Sequence, residues 1–399
     1  MLEVRLKGTP NEDFIQGYPG IPATWPRLAG TVEVRIHGPD SKVKVNNSAD
    51  IKKVTVALFR TDSIVVPSHR PAMASQKREK SFLVTRQKEI YRASAHDTSK
   101  VYALDVPFTL SLPTQLTASI SLSKTLESIY HALVSVSLVD PVSLSVVTEN
   151  YQFPIRLRKF DTLATFGAFS QPLKNEKVSS DHMVSLEWAL PISAFGPGDL
   201  ISISVRTPPN TDWPKSKKVK LKRVSMELVQ ITKYMIPKEE GEAARSESAG
   251  DQAPEEEEIE TRTRLAKVGR DFTSADQSKR RGLDEFENLE LPVPSLLRPT
   301  DSKILPKESP EVGFEGRTPF TNTSSLYSID FELVLHARFS NAKDIEARQA
   351  ITMSQFGHTV CSTYMHNIVE TAQKLRRMSH RGKAPSIWVE PLDTRVKIG

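Results

Sequence analysis

Residues 194–205 read AFGPGDLISISV and join a tight turn to a stretch of alternating side chains. Pro197 fixes one backbone φ angle and Gly198 accepts a positive one, so the pair predicts a chain reversal. The stretch after the turn places aliphatic side chains on one face and serines on the other, which is the period of a half-buried strand. The aliphatic members are Ile201, Ile203 and Val205. A turn followed at once by such a strand favours an antiparallel β-protein.

The same alternation recurs along the chain between residues that favour turns. The further runs are Val32–Ile36, Val54–Leu58, Phe153–Leu157, Val184–Leu190 and Ile329–Leu335. Each run predicts a strand with one face on a core and the other in water. The 27 prolines against 17 glycines favour loops and strand edges over long helices. The sequence therefore predicts an all-β fold of antiparallel β-sandwiches.

A separate signal near the C-terminus predicts one helix. Its apolar positions recur at intervals of three and four residues, and they are Val360, Tyr364, Met365, Ile368, Val369, Ala372 and Leu375. Basic residues crowd the end of this segment, where they suit the helix dipole. We expect a short helix docked on the body, and a membrane-surface or partner-binding helix is the alternative.

The composition indicates a globular protein of a reducing compartment. The 399 residues include one cysteine, Cys361, which cannot form an internal disulfide. We expect it to be a small buried side chain. The first ten residues lack the apolar core of a signal peptide, and no run approaches 18 apolar residues. These features predict a cytoplasmic protein.

Charge is distributed unevenly along the chain. The net charge is +6, but residues 238–260 carry ten acidic and two basic side chains, which leaves +14 on the rest. The densest basic cluster is Lys215, Lys217, Lys218, Lys220, Lys222 and Arg223. Such a cluster binds anionic lipid head groups or acidic and phosphorylated tails, or else protects a solvated strand edge. Nucleic acid is disfavoured, because only Trp213 lies nearby to stack on bases.

The segment from residue 238 to residue 280 has little apolar periodicity and predicts a disordered acidic insertion. The acidic run Glu255–Glu258 is either a solubilising linker or an autoinhibitory segment that competes for the basic cluster. Ser246 and Ser248 lie in the same stretch and are possible regulatory phosphorylation sites, because phosphate would deepen its negative charge.

Motifs for catalysis and cofactor binding are absent from the sequence. The nine histidines show no metal-ligand spacing, and the chain has no nucleophile elbow and no phosphate-binding glycine loop. We therefore predict no catalytic, metal-binding or cofactor-binding residues and no enzyme activity.

A weak internal repeat divides the chain. Strands that open around Val54 and Val224 are 170 residues apart, and similar segments follow each of them in the same order. We predict an N-terminal sandwich over residues 1–160, a linker over 161–181, a C-terminal sandwich over 182–355 and a helix with a tail over 356–399.

These elements resemble the arrestin family, especially the fungal arrestin-related trafficking adaptors. The first sandwich contains Gly30-Thr31-Val32-Glu33-Val34, Phe108–Pro113 and Ile129–Leu133, which are similar to successive strands of arrestin N-terminal lobes. In the second sandwich, residues 194–205 and Val224–Gln230 resemble the turn and the lysine-flanked strand typical of arrestin C-terminal lobes. The resemblance covers residues 28–353 and implies two immunoglobulin-like sandwich lobes.

The resemblance also implies adaptor function. Such proteins bind cytosolic tails of plasma-membrane transporters or receptors and direct their ubiquitin-dependent endocytosis, and fungal members recruit a HECT-type ubiquitin ligase through P-P-x-Y motifs. Here Pro208-Pro209-Asn210-Thr211 lacks the tyrosine. We expect recruitment to the plasma membrane, the endosome or the trans-Golgi and contact with anionic membrane. A retromer-like coat subunit and a signalling scaffold that binds a receptor tail are the alternatives.

Overall fold

The computed structural model describes most of the chain. The described residues are 2–8, 14–36, 48–66, 76–94, 100–122, 125–140, 142–161, 172–236, 257–272, 286–294 and 319–380. Contacts group the chain into two compact units, residues 1–161 with 366–399 and residues 162–365. The sandwich in the first unit is called the N-terminal lobe and that in the second the C-terminal lobe.

Among the described residues, the N-terminal lobe has a four-stranded and a six-stranded antiparallel sheet. Its strands are β1 Leu2–Gly8, β2 Ile15–Gln16, β3 Arg27–Ile36, β4 Ile51–Val66, β5 Gln76–Leu83, β6 Lys88–Arg92, β7 Ala103–Ser111, β8 Ile120–Leu122, β9 Leu126–Val139 and β10 Val146–Ile155. The smaller sheet has the order β1-β3-β2 with β7 also on β3. The larger has the order β10-β9-β4-β5, with β6 on β4 and β8 on β9. Val32 and Phe108 of one sheet pack in a single core cluster with Val54 and Tyr130 of the other, so the lobe is a β-sandwich.

The C-terminal lobe repeats this arrangement over its described residues. Its elements are β11 Leu173–Val178, β12 Ser185–Leu190, β13 Ala194–Phe195, β14 Leu200–Arg206, β15 Lys220–Ile236, β16 Glu257–Asp271, β17 Glu287–Pro292, β18 Asn322–Thr323, β19 Tyr327–Ser340, β20 Ile345–Met353 and α1 His358–His380, which crosses the boundary between the two units. One sheet has the order β11-β12-β14-β17 and the other β13-β20-β19-β15-β16, with β18 on β19. Leu186 and Ile203 from the first and Met226 and Leu333 from the second are fully buried.

The prediction of an all-β protein with a C-terminal helix is confirmed. Nearly every aliphatic residue of the alternating runs is buried, as Val32, Val56, Leu186, Ile201 and Ile329 illustrate. The internal repeat also has a structural basis: Val54 lies on β4, which pairs with β9, and Val224 lies on β15, which pairs with β19.

The predicted linker over residues 161–181 is wrong in its second half. Leu173–Val178 forms β11, which pairs with β12 from Leu173 opposite Leu190 to Val178 opposite Ser185. Five of its six side chains are exposed, because the strand lies at a sheet edge. Such a strand is held by backbone hydrogen bonds and shows no apolar alternation in its sequence.

The prediction of disorder over residues 238–280 is wrong for Glu257–Asp271, which forms β16. This strand lies at the sheet edge and pairs along its length with β15. Its side chains are held by ion pairs, such as Arg262 with Glu332 at 2.5 Å and Lys267 with Glu227 at 2.5 Å. Because many positions of β16 are charged, its sequence lacks the apolar alternation from which a strand is predicted. Residues 237–256 and 273–285 lie outside the described residues.

Helix α1 spans His358–His380 and buries Cys361 and Ile368. Val360 and Val369, which the sequence placed on the same face, are 45% and 46% exposed, so the buried stripe is narrower than predicted. Within the described part of the chain, no helix is both long and apolar enough to cross a membrane.

Candidate anion-binding surface

The basic cluster lies where a short turn leads into the longest strand of the C-terminal lobe. Pro214–Lys218 forms a single turn of 3-10 helix, and β15 begins at Lys220. Val219 and Leu221 point inward and are 5% and 3% exposed. The side chains of Lys220 and Lys222 are therefore directed to solvent by the strand period.

The backbone of this turn is fixed by hydrogen bonds. Ser216 is 2% exposed, and its hydroxyl donates to the Asn210 carbonyl at 2.6 Å. The Asn341 side chain donates to the Lys218 carbonyl at 3.0 Å. Because the turn is held from both sides, the lysines project from a rigid base, and binding there costs little backbone entropy.

Among the described residues, the cluster has almost no acidic partners. Its five lysines, Lys215, Lys217, Lys218, Lys220 and Lys222, are exposed and form no ion pair with another described residue. Arg223 lies 3.5 Å from the exposed Asp271 carboxylate. The described residues therefore leave the cluster available to an external anion.

Two further basic residues belong to the same end of the lobe and were missed by sequence reasoning. Arg338 lies opposite Arg223 in the β15–β19 register, and Lys343 follows Asn341 in the turn between β19 and β20. Both are exposed. They are more than 100 residues away in sequence, so only the strand register brings them here. We call the eight residues, namely the six of the cluster with Arg338 and Lys343, the basic surface.

The described part of the acidic run does not contact the basic surface. Glu258 lies opposite Met235 and forms an ion pair with Lys233 at 2.7 Å, whereas Arg223 lies opposite Asp271. The two sites are thus about 40 Å apart along β15. The autoinhibitory interpretation is therefore wrong for Glu258. Ser246, Ser248, Glu255 and Glu256 lie outside the described residues.

The turn at Pro197–Gly198 has the geometry that the sequence suggests. The Asp199 N–H donates to the Gly196 carbonyl at 3.1 Å, and Gly198 has a φ angle of +83°. These features define a type II turn with proline and glycine at its centre.

Asp199, directly after this turn, caps helix α1. One carboxylate oxygen accepts from the His358 N–H at 2.7 Å, and the other accepts from the Gly196 N–H at 2.8 Å. The second oxygen also lies 3.2 Å from the His358 ring nitrogen Nδ1. A carboxylate at a helix N-terminus satisfies a free N–H and complements the dipole. Sequence reasoning missed this contact, because 159 residues separate its two partners.

Cys361 is expected to react slowly with thiol reagents. The side chain is 2% exposed, and burial, followed by the charge of Asp199, raises the pKa of its thiol to about 11. At pH 8 about one thiol in a thousand is then ionised, against about a quarter for an ordinary thiol of pKa near 8.5. Labelling with a disulfide reagent should be at least about 100-fold slower in the native than in the guanidinium-unfolded protein. Similar rates in the two states would contradict the buried position.

No cluster of potential metal ligands is found within the described ranges. Residues 180–356 match the family model described as Arrestin (or S-antigen), C-terminal domain. That match begins between β11 and β12 and ends just before α1. No curated protein matches the chain. The chain therefore contains an arrestin C-terminal domain, which forms most of the second of its two β-sandwiches.

Proposed function

We propose that the protein is an adaptor that binds cytosolic tails of plasma-membrane transporters or receptors and promotes their ubiquitin-dependent endocytosis and sorting. The observation that carries this proposal is the basic surface on an arrestin C-terminal domain, with five lysines unpaired among the described residues. A binding role, rather than enzyme activity, suits a surface of this kind.

The basic surface would hold the adaptor against an anionic membrane. Each lysine or arginine near an anionic leaflet contributes about 1 kcal/mol of attraction. Several such charges on one rigid base give reversible binding that weakens with salt. Trp213, which is 47% exposed and precedes the turn, supports this role because tryptophan favours the lipid head-group region.

Ligase recruitment would not use the Pro208-Pro209 segment. The Ser185 N–H donates to the Pro208 carbonyl at 3.0 Å, and the Asn210 N–H donates to the Met183 carbonyl at 2.9 Å. Pro209 also forms a β-bridge with Val184. A segment held in this way is not free to bind as an extended proline-rich peptide. We propose that a HECT-type ligase is brought by another protein or by a segment outside the described residues.

The membrane role can be tested with vesicles. The double variant Lys217→Glu/Lys218→Glu should bind phosphatidylserine-containing vesicles at least about 30-fold more weakly than the unmodified chain, because two attractive charges are lost and two repulsive ones are added. Co-sedimentation with vesicles, with and without phosphatidylserine, measures the change.

The matched control places the same charge change elsewhere on the lobe. Lys174 and Lys177 are exposed on β11, so Lys174→Glu/Lys177→Glu alters the net charge equally. This variant should bind within about twofold of the unmodified protein if local contact decides affinity. Equal losses in both variants would show that only net charge matters and would remove the proposed surface.

The cellular role requires a separate measurement. In cells that lack the protein, a tagged transporter should be internalised more slowly after its usual trigger, and re-expression of the unmodified chain should restore the rate. The Lys217→Glu/Lys218→Glu variant should restore it only partly. Normal internalisation and normal cargo ubiquitination in the absence of the protein would refute the adaptor proposal.

A further inference from the structure

Among the described residues, strand β10 lies at the edge of its sheet, and it carries almost no charge. In the described sheet order it has a neighbour on one side, β9. Its ten residues, VVTENYQFPI, include a single charged side chain, Glu149. The first five are all exposed, with Val146 at 62% and Val147 at 42%. An exposed, weakly charged edge of this length is a template for a further strand.

Several other edge strands of the described sheets are protected from strand addition. Each of β1, β5, β11 and β16 contains three or more charged side chains, and β16 also has a bulge opposite Leu228 and Val229. The edge strand β7 has a proline, Pro107, at its centre. Charge, bulges and proline are the usual means of blocking an edge. Strand β10 has only Pro154, next to its last residue.

The position of Pro154 determines which backbone N–H and C=O groups of β10 face the open side of the sheet. Proline has no N–H, and in an edge strand its nitrogen faces the open side. Alternation then directs the N–H and C=O groups of Val146, Thr148, Asn150 and Gln152 to the open side as well. The hydroxyls of Thr148 and Ser137 on β9 lie 2.9 Å apart, which suits the closer side chains of a pair that is not hydrogen-bonded. The backbone N–H and C=O groups of Thr148 therefore face away from β9.

The side-chain pattern of β10 is complementary to itself. In an antiparallel pair of two copies centred on Asn150, Thr148 lies opposite Gln152 of the second copy, and Val147 lies opposite Phe153. Polar residues then face polar ones and apolar residues face apolar ones. Asn150 meets its own equivalent on the two-fold axis, as a symmetric dimer requires.

Glu149, the one charged residue of β10, also lies opposite a suitable residue in this register. Glu149 lies opposite Tyr151 of the second copy, so the two carboxylates do not oppose one another. Within one chain, the Tyr151 hydroxyl already donates to Glu149 at 2.5 Å. The same donor and acceptor types would pair across the dimer.

The hairpin between β9 and β10 adds an apolar tip at the end of this edge. Leu144 is 77% exposed at a φ angle of +55°, and Val142 is 90% exposed. The Asp140 carboxylate fixes this turn by accepting the N–H groups of Val142 and Ser143 at 3.2 and 3.3 Å. A bulky residue held in the left-handed region costs about 1 kcal/mol. The turn thus holds apolar side chains outward that its own lobe leaves uncovered.

We propose that two copies of this chain associate through antiparallel pairing of their β10 strands, centred on Asn150, to form one continuous sheet across the dimer. The contact involves about ten residues a side, fewer than the 20–30 of a stable complex. The dimer is therefore weak and concentration-dependent. This proposal is independent of tail and membrane binding.

A cross-linking experiment on the full chain tests both the dimer and its register. With Cys361 replaced by alanine, Asn150→Cys should form a disulfide-linked dimer under mild oxidation, because residues in a hydrogen-bonded antiparallel pair have Cα atoms about 5.5 Å apart, within disulfide range. Thr148→Cys is the matched control. Its equivalents would be about four strand residues, or 13 Å, apart, and it should not cross-link.

Sedimentation velocity provides the second measurement, and it needs no cysteine. The unmodified chain should shift from monomer to dimer with rising concentration, and Asn150→Lys should weaken this association at least about tenfold by opposing two lysines on the axis. Asn150→Thr should leave it within about twofold. A chain that stays monomeric, or equal cross-linking through positions 148 and 150, would overturn the proposal while leaving the adaptor function untouched.

Discussion

Replacing Asp62 by alanine is expected to lower the free energy of unfolding of the N-terminal lobe by about 3–5 kcal/mol. Asp62 is fully buried on the inner face of β4 and lies 2.9 Å from the guanidinium of Arg60, whose side chain is 14% exposed. Removal of the carboxylate leaves a largely buried positive charge without its ion-pair partner, and the desolvation of that charge is then uncompensated.

The polar groups around Asp62 form one connected hydrogen-bond network, which increases the expected loss of unfolding free energy. The Ser128 hydroxyl donates to the second Asp62 oxygen at 2.6 Å. Arg60 also donates to the Thr117 hydroxyl, and the Tyr130 hydroxyl donates to the Thr117 carbonyl at 2.6 Å. Burial raises the pKa of Tyr130 to about 12, so its hydroxyl remains a donor through the neutral range.

Two variants separate this mechanism from a general loss of charge. Asp105→Asn breaks the exposed ion pair of Asp105 with Arg35 and should cost less than about 1 kcal/mol. The double variant Arg60→Met/Asp62→Leu replaces both charges with apolar groups and should recover most of the stability lost in Asp62→Ala. Amide hydrogen exchange along β4 and β9 measures the stability of the N-terminal lobe separately from that of the C-terminal lobe. If Asp62→Ala and Asp105→Asn showed equal exchange rates, the network would not be a major source of stability.

The strands with one buried face could be predicted from the sequence, whereas the edge strands β11 and β16 could not. Leu186, Trp188 and Leu190 alternate because one face of β12 packs in a core, and that period is visible without a structure. Strands β11 and β16 are held by backbone pairing and ion pairs, so their sequences read as loop or disorder. Apolar alternation in the sequence therefore predicts strands that pack in a core, but it does not predict edge strands that are held by pairing with a neighbouring strand.

The candidate site also contains residues that the sequence predicts and residues that only the strand register brings together. Lys215–Arg223 is local in sequence and was found by counting charges, whereas Arg338 and Lys343 join it only through the register of β15 with β19. The turn at Pro197–Gly198 followed from two residues. Its contact with the start of α1 depends on a close approach of backbones that no composition or spacing reveals.

Replacing Gly196 by alanine is expected to destabilise the C-terminal lobe by about 3 kcal/mol or more, because the new methyl group has no room. A Cβ atom at this position would lie 1.8 Å from the Phe356 carbonyl oxygen and 2.6 Å from the Gly357 nitrogen. Both are backbone atoms, so they cannot move aside as a side chain would. The turn and the helix start must separate, which also breaks the contact of Asp199 with His358.

The matched control is Gly198→Ala, two residues away in the same turn. A Cβ atom at Gly198 has nothing within 4 Å, and the cost is only that of a positive φ angle of +83°, about 1 kcal/mol. Exchange of the Cys361 amide, which donates to the Gly357 carbonyl at 3.0 Å, reports the first turn of α1. We expect this amide to exchange much faster in Gly196→Ala than in Gly198→Ala, since only the former forces the helix away from its cap. Equal protection in the two variants would mean that the turn and the helix move together, and that their close approach contributes little to the stability of the lobe.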